Sequence, residues 1–471
     1  MPLLFIGIPL IAVVVLNAFY SWPDRRIALW AGMAAAPIQL ALAIADTVYC
    51  LQSGGKLTSQ YIAGFSVDLF SAVVLMVIGL ISFISLLVAK NTVKEGRFSF
   101  GNAILLLMMG MNGIVMVTDI FSLYVFIEVT SAASFILIAI NKKRDELEGA
   151  FKYYLMSALA TIMLLLSITF LFALAGDTSY SAIAAYIGGL NGNYPPALMA
   201  SMILFAAAIL VKSGVVPFHT WVPDAHSSAP SPVSVMLAGA VIKVSGVYSL
   251  MRIYRDVFLY DPALGRVLSL LGLASIVIGA LGAIGQTDIK RMLAFSSVSQ
   301  IGYIVLGLSA GSSLGFAGAL LHFFNHATFK SLLFTGSAAI VMQTGTRDMN
   351  KMGGLGEKMP VTAISSIIGF LSMAGIPPLS GFWSKLLIIM AVWKISGWLA
   401  AIALASSIMT IGYFLLLQKK VFFGKPAPDM EHVREGPGSI VFAEVLLSAL
   451  NVLTGILSPF LLVYMQGKNL L

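Results

Sequence analysis

Residues 196–254 read PALMASMILFAAAILVKSGVVPFHTWVPDAHSSAPSPVSVMLAGAVIKVSGVYSLMRIY, and this stretch contains the features that decide the fold. Two apolar runs within it, 196–216 and 233–254, are each about as long as the 20 residues that a helix needs to cross a bilayer. Each run holds one lysine, Lys212 in the first and Lys243 in the second. A charged side chain at the centre of a membrane helix costs roughly 2.5–3.5 kcal/mol to insert, and such residues usually mark ion or proton pathways. The stretch therefore predicts membrane helices that carry buried cations.

The composition indicates a helical membrane protein in a lipid bilayer. Apolar residues make up 59% of the sequence, charged residues only 10%, and the mean hydropathy is +0.95, whereas soluble domains carry about 25% charged residues. The net charge of +8 is spread over short loops, which argues against a nucleic-acid partner. Cys50 is the only cysteine, so the chain offers neither an internal disulfide nor a thiolate set for an iron–sulfur or zinc site. We expect no cofactor and no metal in this chain, and any redox chemistry would take place in another subunit.

Apolar runs bounded by Pro, Gly and charge clusters predict an all-α polytopic protein in a single membrane domain, 1–471. Its fourteen predicted spans, numbered in chain order, are 2–20, 27–51, 64–89, 100–118, 120–140, 151–175, 196–216, 233–254, 262–285, 291–310, 314–343, 361–378 continuing after a break to 394, 396–418 and 438–464. The first span lacks a basic leading region and a cleavage site, so we expect a retained helix and not a signal peptide.

The basic residues orient the predicted spans. Eighteen of the 28 Lys and Arg residues fall in or beside loops that follow odd-numbered spans, and six fall in or beside loops that follow even-numbered spans or in the C-terminal tail. The remaining four are the lysines deep inside spans, Lys212, Lys243, Lys330 and Lys385. The positive-inside rule then places the odd loops in the cytoplasm and both termini on the outer side of the cytoplasmic membrane. Arg252, Arg255 and Arg266 run against this trend and indicate either a partner surface or a boundary misplaced by a few residues.

Two predicted spans are interrupted by helix-breaking residues. Pro217 and Pro223 follow span 7, and the sequence AGIPPLSG at 374–381 divides span 12. A regular helix does not continue through such residues, because proline removes a backbone donor and clashes with the preceding turn. Lys212 lies just before the first break and Lys385 just after the second. Paired breaks point to inverted repeats with binding sites at the broken helices, although Pro and Gly are also common in membrane helices in general.

The breaks predict a division of the membrane domain into four segments. Residues 1–99 hold spans 1–3, residues 100–260 hold the first five-helix repeat (spans 4–8), residues 261–420 hold the second (spans 9–13), and residues 421–471 hold a loop and span 14. Unpaired carbonyls and helix-end dipoles at the two breaks can hold water and ions at membrane depth.

Five ionisable side chains lie deep inside the predicted spans: Glu128, Lys212, Lys243, Lys330 and Lys385. Together they carry on the order of 12–17 kcal/mol of insertion cost if the single costs add. A protein that served only as an anchor would not need them, so we interpret them as parts of a proton or ion path.

Three residues of span 11, His322, His326 and Lys330, are spaced i, i+4 and i+8 and therefore share one helix face. Imidazole both donates and accepts protons near neutral pH, and a desolvated lysine exchanges its proton more readily, so this face predicts a proton relay. Two histidines at this spacing can also bind zinc, but no third ligand is near, and hydrogen bonding between helices is a further alternative. His219, Asp224 and His226 beside the first break are secondary candidates. Snorkelling or partner contacts explain Asp46, Asp68 and Glu444 about as well as transport does.

Four stretches carry a family resemblance: residues 211–253 within the opening stretch, GQTDIKRMLAFSSVSQIGYI at 285–304, HFFNHATFKSLLF at 322–334 and MAGIPPLSGFWSKLLII at 373–389. Over about residues 64–425 the chain resembles the antiporter-like subunits of Mrp Na⁺/H⁺ antiporters, respiratory complex I and membrane-bound group 4 hydrogenase-type complexes. The longest members continue into a lateral helix that does not follow span 14 here, so we expect an internal complex I position to fit better than a terminal one.

The resemblance also implies residue roles. Glu128, in LYVFIEVTSAASFILIA, matches the glutamate that pairs with the lysine of span 7, here Lys212, and Lys243 matches the lysine of a central hydrophilic axis. The span 11 residues match a family motif. Lys385 matches an ionisable position that is glutamate in some members, and the lysine here is closer to the Mrp D-type subunit than to those glutamate-bearing members. Gln300 stands where some members have histidine, so a proton relay at that position would need water.

These observations predict a proton-translocating subunit, with Na⁺/H⁺ exchange left open, that works with other membrane subunits in an ion-pumping complex. Protons would move along a mid-membrane axis of Lys, Glu and His. One alternative is a structural membrane anchor of a hydrogenase-like or NADH/quinone oxidoreductase complex without its own ion path. Another is a part of a quinone-reducing or hydrogen-evolving active site, which the missing cofactor motifs disfavour. The choice between H⁺ and Na⁺ and the parent complex stay open.

Overall fold

The computed structural model describes residues 2–18, 26–58, 64–424, 430 and 432–467. Its helices, in chain order, are α1 Leu3–Ala18, α2 Ile27–Ser53, α3 Leu69–Thr92, α4 Arg97–Met116, α5 Ile120–Ile138, α6 Arg144–Ala175, α7 Tyr180–Gly189, α8 Pro196–Ser213, α9 Trp221–Ser228, α10 Ser231–Met236, α11 Ser249–Asp256, α12 Pro262–Ile284, α13 Ile289–Ser309, α14 Ser313–Thr344, α15 Leu355–Lys358, α16 Pro360–Ala374, α17 Ser380–Trp393, α18 Gly397–Leu417 and α19 Gly438–Gly467. Two-residue strands β1 Leu57–Thr58 and β2 Ser66–Val67 pair antiparallel.

Among the described residues, 11 helices are long and apolar enough to cross a membrane, and α1, α16 and α17 are shorter apolar helices. The predicted class, a polytopic helical membrane protein, is thereby confirmed. Residues 19 and 20 of the predicted first span lie outside the described part, as do Arg25, Lys425 and Lys468 of the charge count.

The structure differs from the predicted spans at two places. α6 begins at Arg144 and not at 151. Its first turn contains Asp145 and Glu146, which are not apolar, but the positive end of the helix dipole stabilises their negative charges. The helix that contains Lys243 joins α10 to α11 through two π-helical segments, Leu237–Val241 and Lys243–Tyr248, which hydropathy does not reveal. Single π-helical turns are rare and occur frequently at functional sites.

The chain divides into two compact units. The first consists of Met1–Phe83, Lys94–Gly214 and Ala240–Arg266. Within it α4 packs against α1, α2 and α5, while α6 packs against both α5 and α8. Gly101 in α4 permits one of these contacts, because a Cβ there would lie 2.5 Å from the backbone carbon of Ala28 in α2. Small residues allow membrane helices to approach this closely.

Arg252 lies in a buried ionic cluster of the first unit and is only 8% exposed. Its guanidinium donates to both carboxylate oxygens of Asp68, at 2.7 and 2.8 Å, and to Asp256 at 2.8 Å. It also lies over the Phe70 ring, 4.7 Å from the centroid. Arg252, one of the three arginines that run against the orientation trend, is therefore held inside the fold by its own unit.

The second unit consists of Ile84–Val93, Val215–Gly239 and Val267–Leu471. Its central element is α14, which contacts α10, α13, α16, α17 and α19. The side chain of Ser312 caps the start of this helix, and Gly345 in the left-handed conformation ends it at φ 69°. α14 carries His322, His326 and Lys330 among these neighbouring helices, each of them fully buried.

Candidate ion-translocation site

Lys212 occupies the last turn of α8 in the first unit. The helix ends there because Gly214 adopts the left-handed conformation, with φ 66°, and its amide caps the final carbonyls. The negative end of the helix dipole stabilises a cation at this position. Lys212 is only 2% exposed, so its ammonium depends on partners within the protein.

The partners of Lys212 come from α5 and α6. Its Nζ lies 3.3 Å from Glu128 Oε1 and 2.9 Å from Ser131 Oγ, and it also contacts Ser157 Oγ. Thr161 donates to the same Glu128 oxygen at 2.6 Å. The structure thus brings together the glutamate and the lysine that the family resemblance pairs, and it adds hydroxyl partners that the sequence did not indicate.

Lys243 begins the second π-helical segment and is 1% exposed. Its helix approaches α8 closely, since a Cβ at Gly246 would lie 2.4 Å from Ser213 Oγ and 2.7 Å from the Ser213 Cα. Ser213 directly follows Lys212, so this contact brings the two lysine-bearing helices together within the first unit.

His322, His326 and Lys330 lie on α14 in the second unit, and each is 0% exposed. The two imidazole rings are stacked, with centroids 6.1 Å apart, as the predicted shared face requires. His322 Nδ1 lies 2.9 Å from Ser384 Oγ. Lys330 Nζ donates to the Leu293 carbonyl at 2.9 Å and contacts Ser296 Oγ, both on α13.

Lys385 folds back over the break that separates α16 from α17. Its Nζ lies 3.4 Å from the carbonyl oxygen of Ala374, the last residue of α16, and 4.5 Å from the centroid of the Tyr303 ring. Gly375, in the left-handed conformation at φ 82°, leaves room for it, because a Cβ there would be 3.1 Å from Lys385 Cδ. A helix-end carbonyl at the break thus holds an ammonium group, as the break predicts.

The secondary candidates have different surroundings. Asp224 forms an ion pair with Arg291 at 2.6 Å, at a partly exposed position. His226 is fully buried and stacks on Phe334, with centroids 5.1 Å apart. His219 is partly exposed beside Phe295, 6.3 Å between centroids. These contacts do not involve a buried lysine, and the roles of the three side chains stay predictions.

Lys290 is a buried lysine that the sequence analysis assigned to a loop. It is 3% exposed, and its Nζ donates to the Ala229 carbonyl at 2.8 Å and to Ser234 Oγ at 3.2 Å. These acceptors lie at the junction of α9 and α10, so Lys290 satisfies a helix-end carbonyl in the same way as Lys385. In the sequence, only the helix-breaking residues around Pro230 indicate that a helix ends there with a carbonyl that needs a hydrogen-bond donor. Within the described ranges, no group of three His, Cys, Asp or Glu could hold a metal ion.

The described helices form a polytopic membrane protein that encloses lysine ammonium groups. The family described as NADH:quinone oxidoreductase/Mrp antiporter, TM matches residues 117–410, and the chain belongs to this family. The predicted resemblance is thus confirmed.

Two curated relatives and one solved structure illustrate the relationship. The D-type subunit of the Na⁺/H⁺ antiporter of Alkalihalophilus pseudofirmus is 31% identical over 393 residues, covering 82% of this chain and 79% of that protein. The N-type subunit of the NADH-quinone oxidoreductase of Desulforudis audaxviator is 34% identical over 347 residues, covering 72% and 68%. A chain in the structure of the Mrp complex from Dietzia sp. DQ12-45-1b matches with a TM-score of 0.90 at 26% identity, covering 98% of this chain and 95% of that one.

Proposed function

We propose that the protein translocates protons across the cytoplasmic membrane, alone or in exchange for Na⁺, as one subunit of a complex with other membrane subunits. The observation that carries this proposal is the burial of the four lysines that the sequence places deep inside spans: Lys212, Lys243, Lys330 and Lys385 are 2%, 1%, 0% and 4% exposed. Ionisable groups at such depth are expensive and usually functional. The relatives are named as subunits of antiporters and quinone oxidoreductases, which supports a multi-subunit setting.

The Glu128–Lys212 pair would act as a switch in the first unit. A nearby carboxylate stabilises an ammonium ion, whereas a low-dielectric site without that carboxylate disfavours the charge. When the pair opens, Lys212 would therefore release its proton towards Lys243, and when it closes Lys212 would bind another. In the second unit, His326 and Lys330 would pass protons towards Lys385, with hydroxyl groups and confined water between them.

We further propose fourteen membrane spans. The 11 long apolar helices give eleven of them, and α1, α14 and the α16–α17 pair would add the other three. Spans 4–8 and 9–13 would form inverted repeats, because a break lies beside a buried lysine in each. The distribution of basic residues supports both termini on the outer side.

The switch is tested by measuring proton transport in proteoliposomes that contain the whole complex with Lys212→Ala or Glu128→Gln. Both substitutions should slow transport strongly, whereas Lys94→Ala, at an exposed position, should not. Unimpaired transport in both variants would reject the switch. If His326→Ala, Lys330→Ala and Lys94→Ala all lose activity equally, general destabilisation explains the losses and the relay does not.

If the protein were only a structural anchor, it would not need the charges of its buried lysines. Replacing Lys212, Lys243, Lys330 and Lys385 together by methionine would leave an anchor working, because methionine fills similar space without a charge. Loss of proton transport in a complex that still assembles would exclude the anchor.

A further inference from the structure

The last helix of the second unit, α19, carries a buried carboxyl group that the proposed path does not use. Glu444 is 0% exposed. Its Oε2 lies 3.1 Å from Thr362 Oγ1 at the start of α16, whereas its Oε1 is buried and has no hydrogen-bond partner among the described residues. A Cβ at Gly336 of α14 would be 3.5 Å from this Oε1, so the free oxygen points towards the central helix.

A second carboxyl group shares the same hydroxyl. Glu435, which is partly exposed just before α19, accepts from Thr362 Oγ1 at 2.7 Å through one oxygen and from the Val361 amide at 2.8 Å through the other. A threonine hydroxyl has a single hydrogen to donate. Both contacts of Thr362 are therefore hydrogen bonds only when one of the two carboxyl groups is protonated and donates to the hydroxyl oxygen.

The surroundings assign that proton to Glu444. Glu435 reaches solvent and accepts a backbone N–H, which suits a carboxylate, whereas Glu444 is enclosed and an unpaired charge there would be costly. The three groups thus form a chain from solvent to the interior: Glu435, the Thr362 hydroxyl and protonated Glu444. Gly336, Thr362 and Ser366 also line a cavity of about 10 Å³, at the limit of what one water molecule occupies.

Polar side chains continue inward from Glu444 along one face of α19. Ser448 and Asn451 follow at i+4 and i+7, spacings that place them on the same side of the helix. Ser448 Oγ lies 3.1 Å from Ser365 Oγ, and Asn451 Oδ1 lies 3.1 Å from the hydroxyl of Ser380, the first residue of α17. The face therefore leads from Glu444 to the break between α16 and α17.

This series of polar side chains continues to the histidines of α14. Asn325 donates to the Ser380 carbonyl at 2.7 Å and lies 3.4 Å from Ser384 Oγ. The same Ser384 hydroxyl is the partner of His322 Nδ1. Glu444 and Ser448 lie about 6 Å apart along the axis of α19, a gap that one bridging water can close.

We propose that Glu435, Thr362 and Glu444 form a proton-uptake site that supplies His322 along the inner face of α19. This inference rests on the proposed function. Glu444 first releases its proton inward through Ser448 and water. The Thr362 hydroxyl then gives its proton to the Glu444 carboxylate, and Glu435, protonated from the aqueous phase, replaces it on the Thr362 oxygen. Each group gains one proton and loses one, so the site returns to its starting state.

The decisive variants are Glu444→Gln and Thr362→Val in the complete complex, with transport measured per assembled complex in membrane vesicles. Each keeps the shape of the side chain but removes the exchangeable proton. Both should slow proton transport about 100-fold, the size typical of losing a proton-transfer group. Glu444→Asp and Thr362→Ser should restore part of the rate, which a purely structural role does not require.

Glu146→Gln is the matched control, because Glu146 is also a buried glutamate, 4% exposed, but it bonds Asn141 in the first unit. In difference infrared spectra, a protonated carboxyl band should disappear in Glu444→Gln and persist in Glu146→Gln. Transport near the wild-type rate in Thr362→Val, or in an assembled Glu444→Gln complex, would overturn the uptake site. If Lys330→Ala stops transport while these variants do not, only this inference fails; if Lys330→Ala also transports normally, the proposed function fails as well.

Discussion

Lys212 and Glu128 lie 3.3 Å apart, yet their side chains differ in exposure, 1% for the lysine and 34% for the glutamate. The lysine also has two neutral partners, Ser131 and Ser157, that do not depend on the glutamate. The ammonium therefore retains hydrogen bonds when Glu128 moves away. Such partners lower the cost of an open pair, because an unpaired buried charge is otherwise strongly disfavoured.

The first prediction concerns these two hydroxyls. A Ser131→Ala/Ser157→Ala double variant should slow proton transport at least tenfold, because each hydrogen bond to a charged group contributes about 1.5–3 kcal/mol. Initial rates in vesicles that contain the complete complex provide the measurement. Thr169→Ala is the control, since Thr169 is exposed and bonds the Leu165 carbonyl of its own helix. Equal losses in the double variant and in the control would contradict the prediction.

The second prediction concerns the ring beneath Lys385. Tyr303→Leu should slow transport by roughly 2- to 30-fold, because a cation–π contact contributes about 0.5 kcal/mol when exposed and about 2 kcal/mol when desolvated. Tyr303→Phe keeps the ring face and should retain most of the rate, although it loses the hydroxyl bond to the Ala403 carbonyl at 2.7 Å. The ratio of the two rates is the measurement. A phenylalanine variant as slow as the leucine variant would show that the hydroxyl matters and the ring face does not.

The third prediction concerns pH and the buried pair of Asp68 and Arg252. Burial by itself would raise the pKa of Asp68, but the charge of Arg252 and hydrogen bonds from Arg252 and Ser71 hold this pKa well below its usual value. The folded pKa therefore lies below the unfolded pKa of about 3.9. In that case the carboxylate stabilises the fold at every pH above the unfolded pKa, and the contribution is lost as the pH falls through the folded value.

Asp68→Asn should accordingly lower the unfolding free energy at pH 7 by about 1.5–3 kcal/mol, the contribution of hydrogen bonds to a charged group, because Arg252 keeps Asp256 as its other carboxylate partner. The difference between variant and wild type should be constant from about pH 5 to pH 8 and shrink below about pH 4. Thermal unfolding of the detergent-solubilised protein measures it. Glu95→Gln, at an exposed position between α3 and α4, is the control. A difference that grows as the pH falls would show that the folded pKa of Asp68 is not lowered.

Hydropathy and helix breakers were sufficient to predict the helical class, the broken helices and the buried lysines, because each of these is a local property of the chain. The partners of those lysines were not predictable in the same way. Ser131 and Ser157 lie 81 and 55 positions away from Lys212, and only the packing of α5, α6 and α8 brings them to it. Serine is too common in membrane helices for its presence alone to mark a contact.

Lys290 and Lys243 show two further limits of the sequence. Lys290 follows the N-cap residue Asp288 and resembles an ordinary loop cation, but the carbonyl of Ala229, 61 positions away, draws it into the interior. The π-helical segment at Lys243 changes which residues face α8, and its extra residue per turn leaves no hydropathic signature. Tertiary packing decides both positions.

The fourth prediction tests whether that π-helical segment must lie against α8. Gly246→Ala would place a methyl group 2.4 Å from Ser213 Oγ and 2.7 Å from the Ser213 Cα. A side-chain hydroxyl can rotate away, but the Cα belongs to the backbone of the turn that carries Lys212, so the two helices must separate. Overpacking of this kind costs about 1–3 kcal/mol, and the displacement should also slow proton transport through Lys212.

Gly412→Ala is the matched control, because Gly412 lies in α18 and a Cβ there would meet nothing within 4 Å. Thermal unfolding and transport rates of both variants should separate them, since the added methyl group overpacks the structure in Gly246→Ala alone. If Gly246→Ala is as stable and as active as Gly412→Ala, the close contact of the two lysine-bearing helices is not required for function.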